Sequence, residues 1–219
     1  MFLFVQSWDI LRGKEAEYTD FVLRTHLPAL QRIGLNVIGG FHTVVGSGPR
    51  ISHVIATEDF HSLQMALDRD DFLEVTKKLQ QYTVNYRSRI FKHTNRIKEG
   101  SYTIELGTWR FNQYYTLING SEKEYEGFLR EECLPALLKE GIRIKAEWQG
   151  IVGPGPYRIL LEGVAKSIHD IARALVSDSF GHIKQRLLSS YVRQYSNGIL
   201  APTGRVELAF ILGEMTKSL

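Results

Sequence analysis

The octapeptide LPALQRIG at Leu27–Gly34 recurs 107 residues later as LPALLKEG at Leu134–Gly141. Two flanking motifs recur at the same offset: EYTDF at Glu17–Phe21 with EYEGF at Glu124–Phe128, and VGSGP at Val45–Pro49 with VGPGP at Val152–Pro156. Across residues 17–49 this offset gives 12 identities, where chance would give about two. The chain is therefore interpreted as a tandem repeat, with a first copy at residues 1–100 and a second at 101–219.

The beginning of the repeat follows a different offset. The tetrapeptide VQSW ending at Trp8 aligns with LGTW ending at Trp109, 101 residues later. This alignment makes the two tryptophans equivalent. It also predicts about six additional residues in the first loop of the second copy, around Asn112–Gly120.

Hydrophobic periodicity predicts the same order of elements in each copy. For the first copy the predicted elements are a strand at 2–9, a helix at 14–33, a hairpin of strands at 36–45 and 50–57, a helical stretch at 60–83 and a strand at 87–94. This order, βαββαβ, is that of the ferredoxin-like unit. We therefore predict an α+β fold made of two tandem ferredoxin-like units, with two four-stranded sheets packed face to face and the helices outside.

Composition excludes several classes of protein. The 219 residues are 43% hydrophobic and 23% charged, with a formal net charge of +3, which is typical of a folded domain and not of a disordered chain. The charges are distributed evenly, so we expect no nucleic-acid partner. An apolar run of about 18 residues is missing, so we expect no membrane partner. The single cysteine, Cys133, cannot form an intrachain disulfide and favours a cytoplasmic location.

The motifs resemble those of the NIPSNAP family within the dimeric α/β-barrel superfamily. The resemblance rests on the Tyr-x-x-Phe and Leu-Pro-Ala-Leu helices, the aromatic strands Gly40–His42 and Glu147–Gln149, and the two Gly-x-Gly-Pro turns. A family asparagine after the second turn glycine is replaced here by Pro49 and Pro156. The resemblance implies a barrel of ferredoxin-like units. The superfamily includes cofactor-free oxygenases, isomerases and haem enzymes, so no catalytic residue is carried over.

Counting the hairpins from their turns predicts which strand residues face each other. A turn centred between Ser47 and Gly48 places His42 opposite His53, and the second hairpin then places Glu147 opposite Glu162. On this face the second copy carries the polar residues Lys145, Glu147, Gln149, Arg158 and Glu162, whereas the other face carries Ile144, Ala146, Trp148, Ile159 and Leu161. We expect the apolar face to pack on the helices and the polar face to line a cavity between the sheets.

The polar face supplies the candidate catalytic residues. His42 and His53 are candidate acid/base groups or ligands, although paired interface histidines are the simpler alternative. Glu147 and Glu162 are candidates for a carboxylate pair with one raised pKa; the alternative is two separately paired carboxylates. Because no third ligand at a typical spacing is visible, we expect no metal site.

Further residues are candidates for ligand binding. Trp8 and Trp109 are candidate walls of a pocket, although core packing would explain them equally. Gln149 and Arg158 are candidate ligand-binding residues. His182 is a candidate haem ligand, and otherwise no cofactor is expected.

The function predicted from these observations is that of a small-molecule enzyme. It would act on an aromatic or polyketide-like metabolite by proton transfer, as a cofactor-free oxygenase or isomerase. A non-catalytic ligand-binding or assembly protein is the alternative, and haem binding is the third. The β-prone run Val206–Leu212 predicts pairing with a sheet edge, and hence a homodimer or larger homo-oligomer.

Overall fold

A computed structural model describes residues 1–97, 102–105 and 107–202. The first half contains β1 (Phe2–Ile10), α1 (Glu15–Phe21), a π-helical turn (Val22–His26), α2 (Leu27–Arg32), β2 (Val37–Val45), β3 (Ile51–Thr57), α3 (Phe60–Leu67), α4 (Asp70–Leu79) and β4 (Thr83–His93). The second half contains β5 (Trp109–Leu117), α5 (Glu122–Phe128), a π-helical turn (Leu129–Cys133), α6 (Leu134–Lys139), β6 (Arg143–Val152), β7 (Ile159–Ala165), α7 (Ile168–Leu175), α8 (Asp178–Ser190) and β8 (Val192–Pro202).

In each half the Leu-Pro-Ala-Leu motif begins the last segment of one continuous helix, which consists of an α-helix, a π-helical turn and a second α-helix. A proline at position 28 would ordinarily kink or break a helix, but a π-helical turn ends immediately before Leu27 and the helix continues into α2. The wider turn accommodates Pro28, which has no N–H to donate. Gly34 and Gly141 follow the two helices at φ of 86° and 85°. This left-handed conformation suits glycine and ends each helix where the sequence predicted.

The eight strands form one closed antiparallel barrel. Within each half the strand order is that of a ferredoxin-like sheet, β4-β1-β3-β2 in the first and β8-β5-β7-β6 in the second. The halves join where β2 pairs with β8 and β4 pairs with β6. The predicted fold class, two ferredoxin-like units in a dimeric α/β-barrel arrangement, is confirmed. The sheets meet edge to edge, however, and not face to face.

Barrel closure removes one reason for predicting a homo-oligomer. That prediction assumed unpaired outer strands, but the four outer strands pair with each other within the chain. The run Val206–Leu212 lies outside the described residues, so the predicted homo-oligomer stays a prediction.

Strand alternation separates two kinds of interior. One face of each half-sheet packs under its own helices, through residues such as Phe4 and Ile55 in the first half and Phe111 and Leu161 in the second. The other face points into the barrel, which we call the lumen. Its apolar lining comes from both halves and comprises Leu3, Phe41, Val54, Phe91, Ala146, Trp148, Leu160 and Leu200. Ala146 and Trp148 were predicted to pack on the helices, and this prediction is wrong.

The predicted hairpin registers are also wrong. His42 pairs with Ile51, and His53 pairs with Gly40. In the second hairpin the partner of Glu147 is Leu161 and that of Glu162 is Ala146.

The reason for the register difference lies in the turns. The Thr43 N–H donates to the Arg50 carbonyl oxygen, which centres the first turn between Gly46 and Ser47, one residue before the counted position. The Gly150 N–H donates to the Arg158 carbonyl oxygen, which centres the second turn on Pro154. The second turn therefore encloses one residue more than the first, which the repeated Gly-x-Gly-Pro motif does not reveal.

Trp8 and Trp109 are not equivalent in the structure. Trp8 pairs with Ile51 in β1–β3, and the corresponding pair in β5–β7 is Tyr115 with Ile159. The Trp8 indole donates a hydrogen bond to the Tyr18 hydroxyl, as Tyr115 is bonded to Tyr125. The offset of 107 therefore holds from the first strand, and the second half has no additional residues in its first loop.

Packing between β7 and its neighbours leaves no space for a side chain at Gly163. An added Cβ would lie 2.9 Å from Ile142 Cγ2 and 3.0 Å from the Phe111 carbonyl oxygen. We expect Gly163→Ala to lower the free energy of unfolding by about 1–3 kcal/mol through overpacking. Gly127→Ala, in α5 with no neighbour within 4 Å, should raise it by up to about 1 kcal/mol. Urea denaturation measures both, and equal effects would contradict the packing described.

Candidate functional site

The first half buries two histidines beneath its helices. His26 ends the π-helical turn and is fully buried, and His53 on β3 is 7% exposed. Their ring centroids lie 6.0 Å apart, and the Trp8 ring packs against His53 at 4.7 Å. Among the described residues, neither nitrogen of His26 nor Nδ1 of His53 has a hydrogen-bond partner. His42 is half-buried and close enough to His53 to influence its titration.

Burial keeps these imidazoles neutral. It lowers the pKa of His26 to about 4. It also lowers the pKa of His53 to about 3, with further contributions from His26 and His42. The cause is the loss of water around the charged form. Neutral imidazoles packed on aromatic rings serve the core, and their placement gives them no contact with the lumen.

The second half buries a carboxylate in the corresponding place. Glu147 is fully buried and accepts hydrogen bonds from Arg96 Nη1 at 2.5 Å and from the Tyr125 hydroxyl at 2.6 Å. The Tyr125 hydroxyl is 2.5 Å from that of Tyr115, and burial raises the pKa of both phenols. Burial also raises the pKa of the Cys133 thiol to about 12. Each oxygen of Glu147 therefore has a partner beneath the helices.

Glu162 is the one candidate catalytic residue that lies in the lumen. Its carboxylate forms an ion pair with Arg110 and accepts hydrogen bonds from the Tyr102 hydroxyl, at 2.9 Å to each oxygen. The Trp148 indole donates a third bond at 3.1 Å. Arg110 and Glu162 are 2% and 4% exposed, so this is a charged pair inside the barrel. Residues of both halves surround it.

Two connected chambers occupy the lumen. The inner chamber, about 80 Å³, is lined by Arg110, Asn112, Tyr102, Glu162 and apolar residues of both halves. The outer chamber, about 290 Å³, opens between the two hairpin turns and is lined by Thr43, Arg87, Arg89, Tyr157, Asn197 and neighbouring small residues. Ser7, Ser52, Tyr114 and Leu200 line both chambers and mark the passage between them.

The structure does not bring the four candidate catalytic residues together. His53 and Glu147 lie on the helix-facing side of the sheets, whereas Glu162 faces the lumen. His42 also lies on the helix-facing side, because it pairs with the helix-packed Ile51 and follows the lumen residue Phe41. The prediction that all four border one cavity is therefore wrong. In the second hairpin the pairing is displaced by one residue, which puts Glu147 and Glu162 on opposite faces. In the first hairpin the displacement is two residues, so His42 and His53 share a face as predicted, but this face packs under the helices.

The candidate ligand-binding residues are also dispersed. Trp8 and Trp109 are buried in the helix-facing cores of different halves. Gln149 and Arg158 are exposed near the second hairpin turn. None of these four lines either chamber of the lumen.

Sequence reasoning missed the polar residues of β5. Arg110, Asn112 and Tyr114 alternate with Phe111, Gln113 and Tyr115, and the first set points into the lumen. The period of two was visible in the sequence. It was not read as a strand because the alignment through Trp109 placed an extended loop there. Arg89, on β4, was missed because nothing in its sequence neighbourhood distinguishes it.

The candidate haem ligand His182 and the buried His26 lie in different surroundings. No group of three His, Cys, Asp or Glu side chains is placed to hold a metal within the described ranges. His182 is exposed on α8, with its Nδ1 2.8 Å from the Asp178 carbonyl oxygen. The buried His26 has aromatic rings on two sides, Trp8 at 5.9 Å and Phe21 at 6.1 Å. An axial haem ligand needs a flat cavity beside the imidazole, and packed side chains fill that space here.

In the part of the chain that the structure describes, no helix has the length and apolar character needed to cross a bilayer.

Comparison with known proteins establishes the fold but no family. No protein-family model and no curated protein matches the chain, so the NIPSNAP resemblance rests on the motifs alone. A mutant chlorite dismutase from Candidatus Nitrospira defluvii superposes with a TM-score of 0.60 at 9% identity, over 95% of this chain and 94% of that chain. An anthrone oxidase-like protein gives 0.58 at 10%, over 92% and 90%.

A heme-binding protein from Thermus thermophilus gives a TM-score of 0.50 at 10% identity, over 97% of this chain and 94% of that chain. These neighbours share the dimeric α/β-barrel fold. At such low identity the likeness carries the fold alone, so function must be argued from the side chains of this chain.

The buried histidines predict a defined acid sensitivity. Below a pH of about 6.5 the unfolded chain protonates both imidazoles, while the folded protein keeps them neutral down to a pKa of about 4 for His26 and about 3 for His53. Stability is therefore lost as pH falls, by about 1.4 kcal/mol per pH unit for each histidine. We expect His53→Leu, which introduces an apolar side chain of similar size, to reduce this slope by about one proton between pH 6 and 4. Urea denaturation as a function of pH measures it, and an unchanged slope would show that His53 titrates normally.

Proposed function

We propose that this protein binds a small organic molecule in the lumen of its barrel. The observation that carries the proposal is a set of buried polar atoms facing the inner chamber. Among the described residues, Nε and Nη2 of Arg110 and Oδ1 of Asn112 have no hydrogen-bond partner. Each such atom costs about 1–3 kcal/mol unless water or a ligand satisfies it. A polar ligand reaching the inner chamber would supply both an acceptor for Arg110 and a donor for Asn112.

The shape of the lumen supports entry from one end. Residues 102–105 lie across the other end, where Tyr102 packs edge-on against Trp148 at 5.0 Å and Ile104 joins the apolar lining. The outer chamber lies between the hairpin turn at Ser47–Pro49 and Tyr157. A molecule therefore enters between the turns and passes Ser52 and Tyr114 before it meets Arg110.

A proton-transfer enzyme acting in the same lumen is the second candidate. The position of Glu162 favours it, because this carboxylate borders the inner chamber beside the Tyr102 hydroxyl. Glu162 forms an ion pair with Arg110; a carboxylate can accept a proton, and a proton returned through Tyr102 would complete an exchange. An isomerase or cofactor-free oxygenase would begin with this step. His42, His53 and Glu147 have no place in it.

The proposal keeps two parts of the sequence interpretation. A cytoplasmic location is consistent with the single thiol, Cys133, which is buried and unpaired. A homo-oligomer would form through the C-terminal run and not through the barrel edges, which are closed. Neither part is needed for binding in the lumen.

Blocking the passage between the chambers tests the binding proposal. Ser52 lines both chambers, so Ser52→Trp should fill the passage and remove a bound molecule. Ser189→Trp, exposed on α8, is the matched control. Native mass spectrometry after incubation with a metabolite extract should show the same additional mass on the wild type and on the control. Retention of that mass by Ser52→Trp, or its absence from the wild type, would contradict the proposal.

Proton exchange tests the enzymatic candidate. The molecule released from the wild-type protein, incubated with fresh protein in D₂O, should exchange a carbon-bound hydrogen for deuterium. Glu162→Gln keeps the shape of the side chain but cannot act as the base, so it should lower the exchange rate at least about 100-fold. Mass spectrometry measures the exchange. If the variant exchanges at the wild-type rate, Glu162 is a structural partner of Arg110 only.

A further inference from the structure

The described residues that line the outer chamber carry positive charge and include no carboxylate. Arg87 and Arg89 both line it, and its other lining residues are serines, threonine, tyrosines, asparagine, glycines, proline and leucine. No Asp or Glu occurs among these lining residues. The nearest lumen carboxylate, Glu162, is already paired with Arg110. Within the described ranges, the chamber therefore presents two guanidinium groups, and none of its lining residues is a carboxylate that could pair with them.

Arg89 is held in place by the second Gly-x-Gly-Pro turn. It is half-buried, and its Nη2 donates a hydrogen bond to the Pro154 carbonyl oxygen. A Cβ added at Gly153 would lie 2.7 Å from Arg89 Cγ, and one added at Gly155 would overlap its Nη2. Both glycines also have left-handed φ, 125° and 102°. The turn is thus shaped around this arginine, which fixes the position of its charge at little entropic cost on binding.

Arg87 lies two residues before Arg89 on β4, so both side chains leave the strand on the lumen side. Arg87 pairs with Ser7 of β1, and Ser7 pairs with Ser52 of β3, with the two serine hydroxyls 2.9 Å apart. Arg87, Ser7 and Ser52 therefore form a row across the adjacent strands β4, β1 and β3 at the mouth of the chamber. Such a row suits a ligand with a charged end and a hydroxylated body.

We propose that the outer chamber binds the phosphate group of a small phosphorylated polyol, with Arg87 and Arg89 as the phosphate ligands. Two guanidinium groups match a phosphate monoester, which carries nearly two negative charges at neutral pH, better than a single carboxylate. The hydroxyl-lined walls match the hydroxyls of a sugar-like body, which then extends past Ser52 towards Asn112 and Arg110. This inference rests on the proposed binding in the lumen and names its ligand class.

Calorimetric titration with defined probes tests the ligand class. Glucose 6-phosphate should bind at least about 10-fold more tightly than glucose or benzoate, because only the phosphate engages both arginines. Inorganic phosphate should compete with it. Arg89→Met and Arg87→Met should each weaken glucose 6-phosphate binding about 10-fold or more. Arg12→Met removes an equal charge from an exposed loop residue and should change the affinity less than about twofold.

The variants separate the possible failures. Arg89→Met removes an anchor of the second turn, so Arg87→Met, at an exposed side chain, supplies the test if the first variant does not fold. Equal binding of glucose 6-phosphate by wild type, Arg87→Met and Arg12→Met would overturn the phosphate site. A neutral or aromatic molecule that is lost on Ser52→Trp but unaffected by Arg87→Met would overturn the ligand class and leave the lumen proposal standing. Undiminished binding of glucose 6-phosphate by Ser52→Trp would place the phosphate outside the lumen and overturn this inference alone.

Discussion

Closure of the barrel through two seams is the constraint on which the rest of the structure depends. β2 pairs with β8 and β4 with β6, so the four outer strands of two ferredoxin-like sheets satisfy each other's backbone groups. Closure also requires the inward faces of both sheets to share one lumen. β2 and β6 each pair with their hairpin partner on one edge and across a seam on the other. The side chains that point inward are those on the face turned away from the helices.

The two halves use the space beneath their helices in different ways. An aromatic pair recurs in both: Trp8 stacks on Tyr86 at 6.3 Å in the first half, and Tyr115 stacks on Tyr195 at the same separation in the second. Around this pair the first half places neutral histidines, whereas the second places Glu147 with its Arg96 partner. Both arrangements bury polar groups between helices and sheet. The histidines and Glu147 therefore have a structural role, although in the sequence they resemble the residues of an active site.

The lumen is the place where the two halves act together. Arg110 and Glu162 come from the second half, while Ser7, Ser52, Arg87 and Arg89 come from the first. A buried ion pair is weak evidence for stability, because desolvation offsets much of its attraction. The ion pair lies beside Arg110 nitrogens that have no hydrogen-bond partner among the described residues, and below the two arginines of the outer chamber. A bound ligand would explain this position better than stability does. A lumen shared between unlike halves can present different chemistry at its two ends.

Local sequence patterns account for the helices and strands of this protein. The Leu-Pro-Ala-Leu helices, the glycines that end them and the βαββαβ order follow from local periodicity and backbone preference, which act over a few residues. Glu162 was correctly placed on an inward face. Three assignments follow only from the folded barrel: Glu147 and His53 lie beneath helices, Tyr115 corresponds to Trp8, and Arg89 faces a chamber. Side chains alternate between the two faces of a strand, so a one-residue error in register or a wrong choice of inward face reverses an assignment. Barrel closure decides which face is inward, and at one seam it pairs residues more than 100 positions apart, such as Phe41 and Pro202.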